Sequence, residues 1–473
     1  MRHRQQWTIF QVLCVFLSII TLAQGAEDDA IYQVDFDQLF QSVNLNLQAD
    51  SEGDVNRYSP WSYRPFCTDT LEEINSELCV YTSTTFAGGR GLSLFTTPSV
   101  ADHVMATISS TRLNSGDSSS SGLDHYSSTS SGINADTGQG KWYTQPIPGK
   151  GTGMLAREAL ARGDLILSAT PILIAYSENI LPPAVREEYL RRAIDQLPSA
   201  TRDMYLALAS LSGHDDDDDD DDKNSNLENH RQTQVQDIAA ANTFGITLFA
   251  DQDDRGHAHA HLAVFPEPSR MNHDCAPNAH YHIDNRTLTQ RVRAVRPVAA
   301  GEELSIAYTS PLDAWAERQS YLARSFGFRC ACARCRRGPG PDSAALSEMA
   351  SLHASLGDWS ASSGASVAQA ERLIGLYESE GLHGYMDPAY CHAALTYGSV
   401  GSARGVRKYV DLAVRAIELR LGPPGGVRHQ HQDQDQDQDR SDVEVWKEMA
   451  RAPERHWSWR RRKPRNQKQT NKY

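Results

Sequence analysis

The sequence has too little positive charge for a protein that coats nucleic acid. Its 473 residues include 46 Lys+Arg against 60 Asp+Glu, which gives a net charge of −14, whereas phosphate binding requires a basic surface. A run of acids at 215–222 supplies much of this excess. Hydrophobic residues at 40% and charged residues at 22% predict a packed core and exclude collagen, coiled-coil and wholly disordered classes.

Long apolar runs are also absent after residue 23, although a bilayer-spanning helix needs about 20 apolar residues. The N-terminus carries Arg2 and Arg4, then an apolar stretch from Trp7 to Ala23, then small residues around Gly25. This order is typical of a cleaved secretory signal. We therefore expect a signal peptide at 1–25 and no later transmembrane segment, with an uncleaved anchor as the alternative.

Composition shifts divide the rest of the chain. Strand-like and helix-like patterns alternate with polar, Ser/Gly-rich or charged stretches. The predicted layout is an N-terminal cysteine-paired extension forming a small β unit at 26–108, a Ser/Gly-rich linker at 109–141, a β-rich domain at 142–335 with a disordered acidic insertion at 213–232, a helical unit at 343–422 and a disordered, basic tail at 423–473.

The cysteines fall into two groups. Cys67 and Cys79 would form a disulfide in an oxidising lumen, and two free thiols are the alternative. The second group is the triplet Cys330, Cys332 and Cys335, which can face one cation but leaves tetrahedral Zn²⁺ short of a ligand. Cys275 is the best fourth ligand. Four thiolates leave no open position for water, so the expected zinc is structural; unrelated cysteines or disulfides remain the alternative.

Three further motifs precede, include or follow Cys275. They are Gly-Lys-Gly-Thr-Gly-Met at 149–154, Asn-His-Asp-Cys at 272–275 and Gly-Glu-Glu-Leu-Ser-Ile-Ala-Tyr at 301–308. Gly151 and Gly153 permit close backbone approach to a bulky ligand. The alternating histidines 257, 259 and 261 could act as metal ligands on one strand face, but a loop or exposed strand is the preferred interpretation.

Together with the cysteine triplet, these motifs resemble SET-domain protein-lysine methyltransferases, in particular the SET-and-MYND type and its MYND-less fungal relatives. The resemblance covers about Trp142 to Cys335. It implies a mainly β SET fold with a knot-like C-terminal threading and a zinc-bound post-SET loop, which with the C-terminal helical unit makes an α+β protein overall.

The resemblance also implies a function and site residues. The expected activity is S-adenosylmethionine-dependent methyl transfer to protein lysines, with Tyr308 lining the lysine channel and serving catalysis. The alternative is a non-catalytic, secreted or lumenal SET-like binding module. Residues matching the cofactor-binding positions are Lys150, Gly151, Gly153, Met154, Asn242, Asn272, His273 and Phe328.

The sequence also bears on binding partners and compartment, and for the compartment its indications conflict. The resemblance implies a protein substrate with a target lysine, histones being among the candidates, and no direct nucleic-acid reader is evident. The leader predicts the secretory pathway or the extracellular space, whereas the family resemblance points to the nucleus or cytoplasm as the alternative.

Overall fold

The computed structural model describes residues 58–113, 133–134, 140–211, 234–252, 258–422 and 434–462. All of them belong to the unit Asn56–Tyr473, and the other unit, Met1–Val55, lies outside the described residues. The predicted signal peptide and the predicted acidic insertion lie outside them too. Within the described part, no helix combines the length and the apolar character needed to cross a membrane.

The described strands form three sheets. In chain order the strands are β1 (Phe66–Cys67), β2 (Cys79–Ser83), β3 (Leu92–Thr96), β4 (Trp142–Ile147), β5 (Gly151–Ala156), β6 (Leu165–Ala169), β7 (Leu173–Tyr176), β8 (Thr243–Gln252), β9 (Ala258–Val264), β10 (Asn272–His273), β11 (Ala279–Asp284), β12 (Thr289–Ala294) and β13 (Glu303–Ile306). Their orders are β1-β2-β3-β7-β9-β8, β10-β13-β5-β4 and β11-β12-β6.

Helices cluster after the last strand. The helices are α1 (Phe86–Gly89), α2 (Pro98–Leu113), α3 (Pro183–Asp195), α4 (Ser199–Leu206), α5 (Trp315–Phe326), α6 (Ala333–Arg336), α7 (Pro339–Gly357), α8 (Val367–Ser379), α9 (Asp387–Ser399), α10 (Ala403–Leu421) and α11 (Gln434–Arg451). Residues 234–242 are also helical, and short 3-10 turns cover Pro268–Arg270, His383–Tyr385 and Pro453–Arg455. Strands and helices together confirm the α+β class.

The N-terminal strands are not a separate β unit, as the sequence had led us to expect. Strand β3 pairs in parallel with β7, with Leu94 opposite Ile174, so β1 to β3 extend the sheet of the β-rich domain. Every residue of β2 and β3 is buried, and an isolated pair of such strands could not cover both faces. Cys67 lies opposite Cys79 and is bonded to it, which confirms the predicted disulfide.

Helices α7 to α11 form the C-terminal helical unit around a core of their own. Helix α10 buries an apolar stripe at helical spacing that includes Val406, Val410 and Ile417. The serines that precede α8 and α10 accept a hydrogen bond from the third backbone N–H of each helix, a common N-terminal cap.

Two predicted polar segments contain more structure than expected. The tail at 423–473 was predicted to be disordered, but α11 lies within it and buries Val443 and Met449 against the helical core. The spacing of Val443, Trp446 and Met449 gives one apolar face, which outweighs the polar composition of the residues before it. The predicted linker at 109–141 overlaps the end of α2, which continues to Leu113.

Of the three alternating histidines, His261 has a described side chain, and it is not exposed. His261 lies on β9 and is fully buried, with its Nε2 2.7 Å from the Thr96 hydroxyl. Its ring meets the edge of Tyr176 at 5.7 Å. His261 is therefore a core residue with partners, while residue 257 lies outside the described residues.

Candidate functional site

The three motifs predicted to form the site meet in the four-stranded sheet. Strand β10 pairs in parallel with β13, placing Asn272 opposite Ser305 and His273 opposite Ile306. The other edge of β13 pairs with β5, with Leu304 opposite Met154. One strand therefore joins the glycine motif, the Asn-His pair and the segment that leads to Tyr308.

Gly153 is required by the closeness of these strands. A Cβ atom there would lie 2.5 Å from Ile147 Cγ1 and 2.9 Å from Asn272 Nδ2, closer than real contacts allow. Gly151 has open space around it and a φ of +69°, a conformation that glycine adopts without strain. The two glycines thus serve different purposes: Gly151 permits the backbone turn, and Gly153 permits the close packing of the strands.

Glu303 is a site residue that sequence reasoning missed. Its Oε1 accepts a hydrogen bond from Asn272 Nδ2 at 2.9 Å, and its Oε2 accepts one from Lys150 Nζ at 2.7 Å. The carboxylate therefore fixes two residues predicted to bind the cofactor. Its position at the end of the Gly-Glu-Glu motif, on the strand before Tyr308, was the available signal.

His273 links the cofactor-side residues to the cysteines. Its Nδ1 accepts a hydrogen bond from the Tyr308 backbone N–H at 2.9 Å, and its Nε2 lies 3.2 Å from Cys275 Sγ. Burial lowers the pKa of His273 to about 4, so the ring is neutral at pH 7. With Nδ1 accepting, the proton resides on Nε2 and points at the sulfur.

Tyr308 is held as a neutral phenol. Its hydroxyl donates to the Met271 carbonyl oxygen at 2.7 Å, and burial raises the pKa of Tyr308 above its usual value. The ring centroids of Phe326 and Phe328 lie 4.9 Å and 6.5 Å from its own. Such a tyrosine can orient a neighbouring amine but is a poor base at pH 7.

The remaining predicted cofactor residues differ in position. Phe328 lies with its ring centroid 6.3 Å from that of His273, so it joins the cluster. Met154 is fully buried, which leaves only its backbone available to a ligand. Asn242 uses its Nδ2 to donate to the carbonyl oxygens of Ala209 and Ile238, each at 2.7 Å, so its amide group is turned toward helix ends.

The four predicted metal ligands come together. The sulfur atoms of Cys275, Cys330, Cys332 and Cys335 all lie within 4.8 Å of one another. Cys275 Sγ is 3.5 Å from Cys335 Sγ and 4.0 Å from Cys330 Sγ. A tetrahedron with Zn–S bonds of about 2.3 Å has sulfur–sulfur edges of about 3.8 Å. The spacing therefore fits a four-thiolate metal centre.

A buried ionic network behind the cysteines connects them to the helical unit. Asp342 of α7 accepts two hydrogen bonds from Arg318, at 2.9 Å and 3.1 Å, and its Oδ1 is 3.0 Å from Arg334 Nη2. Arg334 also pairs with Glu380 at 3.1 Å and donates to the Cys275 carbonyl oxygen at 3.3 Å. No sequence pattern pointed to this network, because its members lie far apart in the chain.

A groove of about 200 Å³ runs between β8 and β11. Both are edge strands of their sheets, and edge strands present unpaired backbone groups to a further strand. Tyr281 lines the groove and packs edge-on against Phe244, with ring centroids 5.0 Å apart. Asn285 closes one side by donating its Nδ2 to the Thr247 carbonyl oxygen at 2.7 Å.

Comparison with known protein families identifies the β-rich part of the chain. The family model described as the SET domain matches residues 151–309. Histone-lysine N-methyltransferase set5 of Schizosaccharomyces pombe is 27% identical over 190 residues, which are 40% of this chain and 49% of that protein. Histone-lysine N-methyltransferase Smyd1 of Mus musculus is 32% identical over 108 residues, 20% of this chain and 21% of that protein.

Further similarities are shorter or weaker. Histone-lysine N-methyltransferase ATXR4 of Arabidopsis thaliana is 43% identical over 74 residues, covering 16% of this chain and 22% of that protein. A crystal structure of the SET domain of LSMT bound to lysine and AdoHcy aligns over 68% of this chain and 80% of that chain, at 12% identity and a TM-score of 0.25; a similarity this low supports no conclusion here. The chain spans about half or less of the length of these curated relatives.

Proposed function

Because residues 151–309 form a SET domain, we propose that this chain transfers a methyl group from S-adenosylmethionine to a lysine side chain of a protein. The observation that carries the proposal is the convergence of the glycine motif, Asn272, His273 and Tyr308 on strands β5, β10 and β13. The matched segment ends one residue after Tyr308, so nearly all of the convergent residues lie inside it.

The residues divide into two roles. S-adenosylmethionine supplies the activated methyl group, and Lys150, Gly151, Gly153, Asn272, His273 and Phe328 would form its binding surface. Glu303 holds Lys150 and Asn272 in place through its two oxygens. On the other side Tyr308 would orient the substrate amine, which must be neutral to react; an apolar channel favours the neutral amine by desolvation.

A protein segment would reach this channel along the groove between β8 and β11. An extended peptide can add to either edge strand through main-chain hydrogen bonds, with its lysine directed past Tyr281 toward the core that also contains Tyr308. Histones are candidate substrates, since several relatives carry histone-lysine N-methyltransferase in their names.

The finer features of the fold belong to the proposal as well. The four cysteines would hold a structural Zn²⁺ and form the post-SET loop. The segment around Asn272 to Asn278 would thread against the strand before Tyr308 in a knot-like arrangement. Asn278 supports this threading, because its Nδ2 donates to the Glu303 carbonyl oxygen at 2.8 Å and its Oδ1 accepts from the Ser305 backbone N–H at 2.9 Å.

We also propose that the chain works in the secretory pathway, with the nucleus or cytoplasm as the alternative. The Cys67–Cys79 disulfide supports an oxidising compartment. The test is a C-terminally tagged full chain expressed in eukaryotic cells, with its location read by protease protection of isolated membrane vesicles and the Cys67–Cys79 bond by thiol labelling. A disulfide-bonded chain in the lumen is expected; a nuclear or cytosolic location would overturn this part.

Calorimetry with S-adenosylmethionine and a methyl-transfer assay on histones and lysine-containing peptides test the activity. We expect a Kd near micromolar, about −8 kcal/mol. Tyr308→Phe should reduce turnover by about 100-fold, because orientation of the reacting groups is lost, with cofactor affinity unchanged. Tyr63→Phe, at a residue that is 43% exposed, is the control. A folded, zinc-loaded protein that binds no cofactor would favour the non-catalytic module.

A further inference from the structure

The segment after α11 is fixed to the helical unit although its composition predicted a solvated tail. The backbone N–H groups of Arg460 and Arg462 donate to the carbonyl oxygens of Gly398 at 3.0 Å and Ser399 at 3.2 Å. Arg462 Nη2 also donates to the carbonyl oxygens of Leu356 at 2.8 Å and Asp358 at 2.7 Å. Residues 456–462 therefore form an ordered segment on the ends of α7 and α9.

This segment exposes a tryptophan whose ring packs against a second tryptophan. Trp457 is 53% exposed, and its ring lies edge-on to that of Trp359 with centroids 4.6 Å apart. The guanidinium of Arg462 covers the Trp359 ring at 3.8 Å, a cation–π geometry. Trp457 is therefore positioned by an aromatic neighbour that is itself held by an arginine.

The net charge of residues 451–462 is opposite in sign to that of the whole chain. Residues 451–462 contain five arginines and one acid, Glu454. Arg455, Arg460 and Arg461 are exposed, and within the described part of the chain no ion pair joins any of the three to a carboxylate. Arg461 Nε donates only to the Trp457 carbonyl oxygen, at 3.1 Å. Asp358, whose carbonyl oxygen accepts from Arg462, has a carboxylate that accepts from the Ser360 backbone N–H at 2.9 Å.

Some exposed arginines elsewhere in the helical unit have a carboxylate partner. Arg372 pairs with Glu348 at 2.7 Å, and Arg415 pairs with Asp411 at 3.0 Å. Residues 455–461 thus combine three exposed guanidiniums that have no carboxylate partner in the described part of the chain with the exposed indole of Trp457. We define the Trp–Arg platform as Trp359, Trp457, Arg455, Arg460, Arg461 and Arg462.

We propose that the Trp–Arg platform binds single-stranded nucleic acid. Guanidiniums neutralise phosphates, and an exposed indole offers a stacking face to an unpaired base, which is the combination that single-strand-binding surfaces use. A bilayer surface is a poorer fit, because interfacial binding needs a broad apolar face, and the platform exposes a single large ring. Base pairing would hide the base faces, so a duplex would engage the arginines alone.

The test is fluorescence anisotropy with the full-length chain and a labelled 12-nucleotide oligo-dT, with oligo-U, a 12-base-pair duplex and anionic phosphatidylserine vesicles as further arms. With three phosphate contacts, affinity should fall about 20-fold between 50 and 200 mM salt, from a slope of about −0.7 per contact for single strands. Oligo-dT and oligo-U should bind alike and more tightly than the duplex.

Two variants separate stacking from charge. Trp457→Ala should weaken single-strand binding at least fivefold with little change in duplex binding, and Arg461→Glu should weaken both at least tenfold. Arg415→Glu carries the same charge reversal on an exposed face of α10 and should leave binding unchanged. Equal losses in Arg415→Glu and Arg461→Glu, duplex binding as tight as single-strand binding, or binding to vesicles alone would each overturn the proposal. None of these variants touches the methyl-transfer site.

Discussion

Removing the charge of Asp342 should destabilise the protein far more than removing that of Glu348 on the same helix. Asp342 and its partner Arg318 are both fully buried, and Arg334 is 1% exposed. Burial alone lowers the pKa of Arg318, but its hydrogen bond to Asp342 reverses that effect and raises the pKa above its usual value. The guanidinium therefore remains charged, and Asp342 is the carboxylate that compensates it.

The size of the effect follows from this burial. Asp342→Asn keeps the shape of the side chain but leaves Arg318 charged in the interior, and breaking a buried pair in this way costs about 3–5 kcal/mol. That is a large fraction of the 5–15 kcal/mol typical of a folded domain. Arg334 retains Glu380 at 3.1 Å, so one of the two arginines stays compensated.

Glu348→Gln is the matched control. Glu348 lies on α7 with Asp342 and also makes a two-bond pair with an arginine, Arg372, at 2.7 Å and 2.8 Å. The side chains of Glu348 and Arg372 are 42% and 57% exposed, so solvent screens this pair and its loss should cost far less than the loss of the buried one. Urea unfolding of both variants with zinc present measures the difference. Losses within about 1 kcal/mol of each other would refute the argument from burial.

Three further predictions concern the site and the sheet beside the helical unit. Glu303→Gln should weaken S-adenosylmethionine binding about tenfold, because Lys150 and Asn272 lose the carboxylate that holds them. The free energy of unfolding should change by less than about 1 kcal/mol, because the ion pair that is lost is partly exposed. Calorimetry measures the affinity and urea unfolding the stability, and an unchanged affinity would remove Glu303 from the site. Cys332→Ser should release zinc and lower stability together, read by metal analysis and thermal unfolding, and a metal-free, equally stable variant would contradict the zinc centre. Burial lowers the pKa of His280 to about 4, so the unfolded state takes up the proton first as pH falls below about 6.5, and the free energy of unfolding should drop by up to about 1.4 kcal/mol per pH unit. In urea unfolding, His280→Gln should show a shallower drop between pH 7 and 5 than the unmodified chain. Identical slopes for the two proteins would count against this role of His280.

The sequence allowed the site motifs to be predicted because each contains residues with few alternative uses. Cysteine triplets and a Gly-x-Gly turn are informative wherever they fold, and the structure brings Cys275 to the triplet and Asn272 to Gly153. Glu303 was missed because a glutamate is common on surfaces, and its role appears only when two partners from distant segments converge on it.

Long-range pairings were harder to predict than local elements. Strands β2, β3 and β7 contain the β-branched and aromatic residues typical of strands, but nothing local indicates that β3 pairs with β7 across some 80 residues. The tail shows the opposite problem: a polar composition concealed the apolar spacing of Val443, Trp446 and Met449. The Arg318–Asp342 pair joins two separate helices, which no single window of sequence displays.

The pairing of β3 with β7 makes the independently folding region larger than the segment that matches the SET domain. A fragment that begins at Gly151 would lack β1 to β3 and would leave one edge of β7 without its neighbour. That edge carries Leu173, Ile174 and Ala175, all buried in the full chain, and an uncovered apolar edge invites pairing with other copies. A fragment limited to the segment that matches the SET domain should therefore aggregate, and soluble protein should require a start that keeps β1 to β3.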